Sequence, residues 1–201
     1  MGRWQPDSRG RLYEAALDLF ERQGFDQTTA AQIAARAGVT ERTFFRQFID
    51  KREVLFGGSA VLGARLVTAV LDAPPNDPPL AAVARGLAAA VAMLGASRKD
   101  LVRRRQAVIE ANPELRERDT SKVAGYATAI AAALETRGVN RLAASLAAET
   151  GAAVLRVALA QWTADGDERD LATIVGDTFV ELRTVTTAEL NNVFDSQASD
   201  D

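Results

Sequence analysis

The stretch Thr28–Phe48, TTAAQIAARAGVTERTFFRQF, concentrates side chains whose spacing has a chemical use, and that use is hydrogen bonding rather than catalysis. Thr29 and Gln32 stand three residues apart, the spacing at which each side chain satisfies the other residue's free backbone N–H at a helix start. Gly38 then stops the helix, because a residue without Cβ accepts the turn at low cost. Thr40 can cap a second short helix, with Val39 packed between the two. A helix, a tight glycine-containing turn and a second helix form the arrangement in which the second helix can lie in the major groove of DNA.

Two basic clusters carry the other candidate chemistry. Asp50 caps the next helix and Glu53 follows at box spacing, so Lys51 and Arg52 fall in a first turn where helix electrostatics favour acidic residues. Either a phosphate lies nearby or the pair is simply solvated. Arg103, Arg104 and Arg105 sit in the densest charge of the chain, SRKDLVRRRQAVIEANPELRERD. They read as a nucleic-acid patch, as a solvated face or partners of Glu110, Glu114 or Glu117, or as a site for an anionic effector. Catalysis has little support. Cysteine and histidine are both absent, which excludes disulfides, Cys/His zinc sites, triads and a histidine base. Carboxylates such as Glu114 and Glu117 lack metal-ligand spacing and a recognisable cleft, so no catalytic residue, metal or cofactor is expected.

The elements that must position these groups are helices. The 201 residues are 47% hydrophobic and rich in alanine, leucine and arginine, enough for one large or two modest helical domains. A helix over Ser8–Gln23 buries Leu12, Ala15, Ala16, Leu19 and Phe20, and Phe25 folds back after Gly24. With Ile33, Val39, Phe44 and Phe48, these make a three-helix core. Lys51 to about Leu71 reads as one continuous helix, and APPNDPP at 73–79 is the clearest break. Further helices are expected from Leu80 to about Leu94, Leu115 to about Arg137 after the Asn112-Pro113 restart, Arg141 to Ala164 and Glu168 to Leu190. No apolar stretch long enough to cross a bilayer is expected and Met1–Asp7 lacks a signal-peptide core, so a cytoplasmic protein is the simple reading. The net charge of −3 does not argue against DNA, since screening makes charge act locally. Residues 1–56 hold nine basic and eight acidic side chains, against fifteen and nineteen in 57–201.

The order AALDLF at 15–20, GF at 24–25, TTAAQIAARAGV at 28–39 and TERTFFRQFIDKREVLF at 40–56 resembles the TetR family of transcriptional regulators, without gaps. The resemblance implies an all-α fold: an N-terminal helix-turn-helix DNA-binding domain (1–50), a helical effector-binding and dimerisation domain (51–190) and a polar tail (191–201). It implies Thr40, Arg42 and Thr43 as base readers, and Arg9, Arg11, Thr28, Thr29, Arg46, Gln47 and Lys51 as phosphate contacts. Phe45 and Gln47 depart from the tyrosine and histidine common in the family. RRRQAVIEANPELRER resembles a C-terminal domain of actinobacterial TetR-like regulators, including the one associated with mycofactocin gene clusters, and hints at hydrophobic or acyl-thioester effectors. Met93, Tyr126, Trp162 and Phe179 would line the pocket or else serve as packing anchors. The last two helices carry more apolar residues than one buried stripe requires, and the resemblance places Leu146, Val154, Val157, Leu171, Ile174, Val175 and Leu182 in a dimer interface. The implied function is a homodimeric repressor that binds a palindromic operator on double-stranded DNA and is released by an apolar or amphipathic effector. A constitutive DNA-binding protein with a filled core and, more remotely, a helical enzyme are the alternatives.

Overall fold

The computed structural model describes residues 8–164 and 168–187, and among them ten α-helices and no strand. The lead-in around Trp4 and the tail from Asn191 lie outside the described residues. The described chain divides into two compact units, one of residues up to Ala64 with Arg98–Gly125, the other of Arg65–Ser97 with the residues from Tyr126 onward.

The first unit begins with α1 (Ser8–Gln23), which buries Leu12, Ala15, Ala16, Leu17 and Phe20. Helix α2 (Ala30–Arg36) starts where Thr29 N–H donates to Gln32 Oε1 at 2.9 Å and Gln32 N–H to Thr29 Oγ1 at 3.2 Å, the expected reciprocal cap. Gly38 follows with φ +68°, a backbone state that would strain any side chain with a Cβ. Helix α3 (Glu41–Gln47) starts at Thr40, whose Oγ1 accepts from the Thr43 N–H at 3.2 Å. Phe20 and Phe25 meet at 5.1 Å between ring centroids, and Phe44 and Phe48 at 5.6 Å, filling the space that the three helices enclose.

Two features depart from the sequence expectation. The stretch expected as one helix from Lys51 opens with a turn and then forms α4 (Glu53–Phe56) and α5 (Ser59–Leu71), separated by Gly57-Gly58. The missing Cβ at Gly57 has a packing reason: it would lie 2.7 Å from Arg9 Nη2 and 2.9 Å from Phe48 Cε1. The core also reaches further along the chain than the helix-turn-helix. Val54, Leu55 and Phe56 of α4, Val108 and Ile109 of α7 (Lys99–Glu110) and Leu115 of α8 (Pro113–Thr136) are buried in the same cluster as Leu12 and Phe44. The restart before α8 is as expected, with Asn112 Oδ1 accepting from the N–H groups of Glu114 and Leu115 at 3.1 and 3.3 Å.

In the second unit, α6 (Pro79–Val91), α9 (Arg141–Thr163) and α10 (Leu171–Thr187) pack on one another. Two glycines set how closely. A Cβ on Gly151 of α9 would lie 2.4 Å from Val83 Cγ1 of α6, and one on Gly86 of α6 would lie 2.8 Å from Val70 Cγ2 and 3.1 Å from Leu66 O of α5. Arg137 ties down the end of α5 and the chain after it, donating to Leu71 O at 3.2 Å, Ala73 O at 2.6 Å and Pro74 O at 2.7 Å. Helix α10 starts at Leu171 rather than at Glu168, because Asp170 Oδ1 accepts from the Thr173 N–H at 2.8 Å and caps it there.

Contrary to the sequence expectation, two stretches, Glu53–Leu71 and Arg141–Thr163, are long and apolar enough to cross a bilayer by length and composition. The physical reason lies in their burial pattern. Each turns a face inward that includes Leu66 and Val70, or Val154, Ala158 and Trp162, and the first is broken at Gly57-Gly58. Other apolar residues, among them Val61, Leu142, Leu146 and Val157, are exposed on the outer sides and raise the hydropathy further.

Candidate nucleic-acid interface

Helix α3 buries Phe44, the cap residue Phe48 is buried just after it, and the helix turns its opposite side outward. Thr40, Glu41, Arg42, Phe45 and Arg46 are exposed there, with Thr43 and Gln47 half-buried at the edges. Thr40 and Thr43 share a hydroxyl–hydroxyl bond of 3.0 Å, which leaves each with further capacity for a base or a phosphate. Phe45, 52% exposed, stands edge-on to Phe44 with centroids 5.3 Å apart and planes at 84°. Its ring offers no hydroxyl to a backbone phosphate.

The charged residues of this unit sort into committed and free. Arg11 Nη1 donates to Ala37 O at 2.8 Å and closes the C-terminus of α2. Arg9 Nη2 donates to Gly57 O at 2.7 Å, its guanidinium carbon 4.9 Å from the centroid of the Phe48 ring. Lys51 Nζ gives all three of its hydrogens to backbone carbonyls, at 2.7 Å to Phe25, 3.2 Å to Asp26 and 2.9 Å to Thr28, and stands 4.3 Å from the Phe25 ring centroid. Thr28 is 1% exposed and its hydroxyl donates to Gly24 O at 2.8 Å. Gln47 Nε2 donates to Ser8 Oγ. Thr29 remains exposed at its cap. Arg42 and Arg46 are different: neither guanidinium has a hydrogen bond or ion pair among the described residues. Of the residues expected to meet DNA, the structure thus gathers Thr40, Arg42, Thr43 and Arg46 on one outward face, while the side chains of Arg9, Arg11, Thr28 and Lys51 build the scaffold under it.

The arginine cluster of α7 is internal, with partners other than the glutamates nearest in sequence. Arg104 bridges Asp18 at 2.6 Å and Glu21 at 2.7 Å on α1, and Arg36 of α2 shares Asp18 at 2.5 Å. Arg105 donates to Leu55 O at 2.8 Å and pairs with Asp119 at 2.7 Å, and Arg103 pairs with Asp100 at 2.8 Å. Arg36 first, and Arg104 with it, hold the Asp18 carboxyl below its ordinary pKa. Burial would raise Asp50, but hydrogen bonds from Arg52 and the Glu53 N–H bring it down as well. A depressed carboxylate pKa contributes stability that is present above the ordinary value of about 4 and is lost as the pH falls through the lowered one. With no histidine in the chain, no imidazole titrates between pH 5 and 8. The thermal midpoint is therefore expected to be level across that range and to fall only in acid, with Asp18→Asn flattening the acid limb. Calorimetry at fixed ionic strength checks it, and a midpoint that falls between pH 8 and 6 contradicts it.

In the second unit, the expected pocket residues differ in exposure. Trp162 is fully buried, Tyr126 and Phe179 half-buried and Met93 exposed. The expected interface residues differ too. Leu146 and Val157 are 60% and 49% exposed on one side of α9, whereas Val154, Leu171, Ile174 and Val175 are buried within the subunit and Leu182 half so. Leu142, Val180 and Val185 are exposed and were not among the expected set. For Leu142 the available signal was its place one helical turn before Leu146 on α9; Val180 and Val185 lie on α10.

Comparison with known proteins agrees with this organisation. Residues 12–56 match the family model described as bacterial regulatory proteins, tetR family, and residues 77–187, more than half of the chain, match the MftR C-terminal domain. The transcriptional regulator TcmR of Streptomyces glaucescens is 37% identical over 76 residues, 38% of this chain and 34% of that protein. The chain spans about a third to a half of the length of the curated relatives it matches. Among solved structures, a transcriptional regulator FadR from Bacillus subtilis in complex with stearoyl-CoA aligns with a TM-score of 0.58 at 18% identity, over 86% of this chain and 96% of that one. SmeT, the repressor of the Stenotrophomonas maltophilia multidrug efflux pump SmeDEF, aligns with a TM-score of 0.55 at 18% identity, over 88% and 89%. At these identities, the two structures speak for the shared fold. With both family models in chain order on the two parts they describe, the chain belongs to the TetR family, whose members are cytoplasmic DNA-binding transcriptional regulators rather than enzymes, and carries an MftR-type C-terminal domain.

Proposed function

We propose that two copies of this chain act as a ligand-responsive repressor, each placing α3 in one major groove of a two-fold symmetric operator. The observation that carries the reading is the contrast among the basic side chains. Arg9, Arg11 and Lys51 are tied to backbone carbonyls, whereas Arg42 and Arg46, beside Thr40 and Thr43 on the exposed face of α3, have no partner among the described residues. Arg42 is assigned to a guanine edge, where its planar fork can be bidentate, and Thr40 and Thr43 to neighbouring base edges. Arg46, with Thr29 at the exposed cap of α2, is assigned to phosphates. The exposed Leu142, Leu146 and Val157 of α9 and Val180 and Val185 of α10 supply the apolar surface on which the copies pair. An apolar effector of the acyl-thioester kind, suggested by the C-terminal family and by the ligand in the FadR structure, would enter the second unit and favour an arrangement that no longer fits DNA.

Selection of bound sequences from random duplex DNA tests the reading. The expected product is an inverted repeat whose half-sites are centred about one helical turn, or a multiple of it, apart. Enrichment of no sequence, or of a single unrepeated half-site, overturns it.

A further inference from the structure

Helix α9 has two opposite faces. Gly151, Val154, Ala158 and Trp162 are buried where it packs on α6 and α10. On the other side Leu142, Leu146, Ala153, Val157 and Ala160 are exposed, and at about 100° per residue they form a stripe roughly 60° wide. Two charged residues, Glu149 and Arg156, lie along one edge of that stripe, exposed and with no partner among the described residues. Their positions differ by only about 20° around the helix and by two turns, about 10 Å, along it. Arg141, the third charge of α9, lies well off the stripe, about 130° from its centre.

A second copy of the chain is the occupant that this charge pattern fits. A two-fold axis perpendicular to α9 brings the same edge of two antiparallel helices together, and a residue before the axis then meets one equally far beyond it. With the axis beside Ala153, midway between the two charges, Glu149 of each copy meets Arg156 of the other. A parallel pairing sets that edge against the opposite edge of the second helix and brings neither charge to its complement. We infer that α9 pairs with α9 of a second copy in antiparallel register about Ala153, closed by two symmetric Glu149–Arg156 ion pairs that make this chain select its own kind. This register rests on the pairing surface proposed above and deepens it by naming which side chains meet. Ala153 lets the two backbones approach at the axis, and Leu146 of each copy lies nearly opposite Val157 of the other. Ion pairs at such a rim add little affinity by themselves, but they penalise a partner that offers like charge.

Charge reversal followed by analytical ultracentrifugation tests the pairing. Glu149→Arg and Arg156→Glu are each expected to weaken self-association by about tenfold or more at low salt, since each homodimer then holds two like-charge encounters. Mixed together, the two variants are expected to pair with each other, and the doubly reversed protein to recover wild-type association. Glu181→Arg, at an exposed position of α10, leaves association as in wild type. The chain has no cysteine, so an introduced one reports alone. Ala153→Cys is expected to cross-link two copies under mild oxidation and Leu146→Cys is not, because a disulfide needs Cα atoms within about 7 Å and residue 146 lies about 10 Å along the helix from the axis. If a single reversal is too poorly folded to measure, the mixture and the double reversal carry the test, since only charges that meet restore each other. Unchanged association of both folded single variants, a mixture that stays unpaired, a loss that follows Glu181→Arg instead, or cross-linking through Leu146→Cys rather than Ala153→Cys overturns the register. Wild-type protein that stays monomeric instead overturns the pairing surface beneath it.

Discussion

Replacing Arg42 by alanine is expected to weaken binding to the selected operator by about 1–3 kcal/mol per half-site and to erase preference at one base position in each. The side chain is exposed on α3, and no intramolecular partner among the described residues competes for its guanidinium, so its five donors are available to DNA without first breaking a protein contact. Bidentate donation to guanine O6 and N7 is the contact whose loss is specific to one position. Removal should leave preference elsewhere in the half-site intact. The thermal midpoint should scarcely move, because exposed substitutions away from caps and cores usually fall within about 0.5 kcal/mol of neutral. Arg46→Ala provides the contrast. If Arg46 holds a phosphate, its loss weakens all sequences alike and lowers the slope of log affinity against log salt by about one per site. Competition binding against every single-base change of the operator distinguishes the two patterns. An Arg42→Ala protein that binds the operator as wild type does would remove α3 from the role assigned to it.

What the sequence made legible was local. The Thr29–Gln32 box, the Thr40 cap, the Gly38 turn and the Asn112-Pro113 restart each depend on residues within four positions of one another, so pattern and structure coincide. The apolar residues Leu12, Phe20, Ile33, Phe44 and Phe48 followed from periodicity and are buried together. Partner choice over long separations was not legible. Arg104 finds Asp18 and Glu21 more than eighty positions away rather than the glutamates near it in sequence, because α7 packs on α1. For the same reason Val108, Ile109 and Leu115 enter the core of the DNA-reading unit, although their own neighbourhood reads as a charged helix. Gly57-Gly58 was visible but was read through, since its helical neighbours are strongly apolar. The demand for a bare Cα at Gly57 comes from Arg9 and Phe48, which no local window contains.

Lys51 shows how residue type and role separate, and Lys51→Met is expected to cost about 2–4 kcal/mol of stability. Methionine matches the length of the stem and can still lie against Phe25, but it brings no donor. Lys51 Nζ now serves the carbonyls of Phe25, Asp26 and Thr28 at 2.7, 3.2 and 2.9 Å, which ties the turn between α1 and α2 to the segment after α3. Without Nζ the partly buried Thr28 carbonyl loses this donor, which costs about 1–3 kcal/mol, and the Phe25 carbonyl, which keeps the Thr28 N–H at 3.2 Å, loses a charge-assisted bond for about 1 kcal/mol more, softened where water can enter. In a chain of this size that corresponds to a fall of roughly 5–15 °C in the thermal midpoint. The measurement that separates this role from phosphate binding pairs a melt with a salt titration. A scaffold lysine lowers the midpoint and leaves the salt slope unchanged in the fraction that stays folded. A phosphate-binding lysine leaves the midpoint alone and lowers the slope by about one per site. Should Lys51→Met keep its midpoint and lose slope, the three carbonyl contacts would be a resting arrangement that gives way to DNA, and the division between scaffold and reading face drawn above would have to move by one residue.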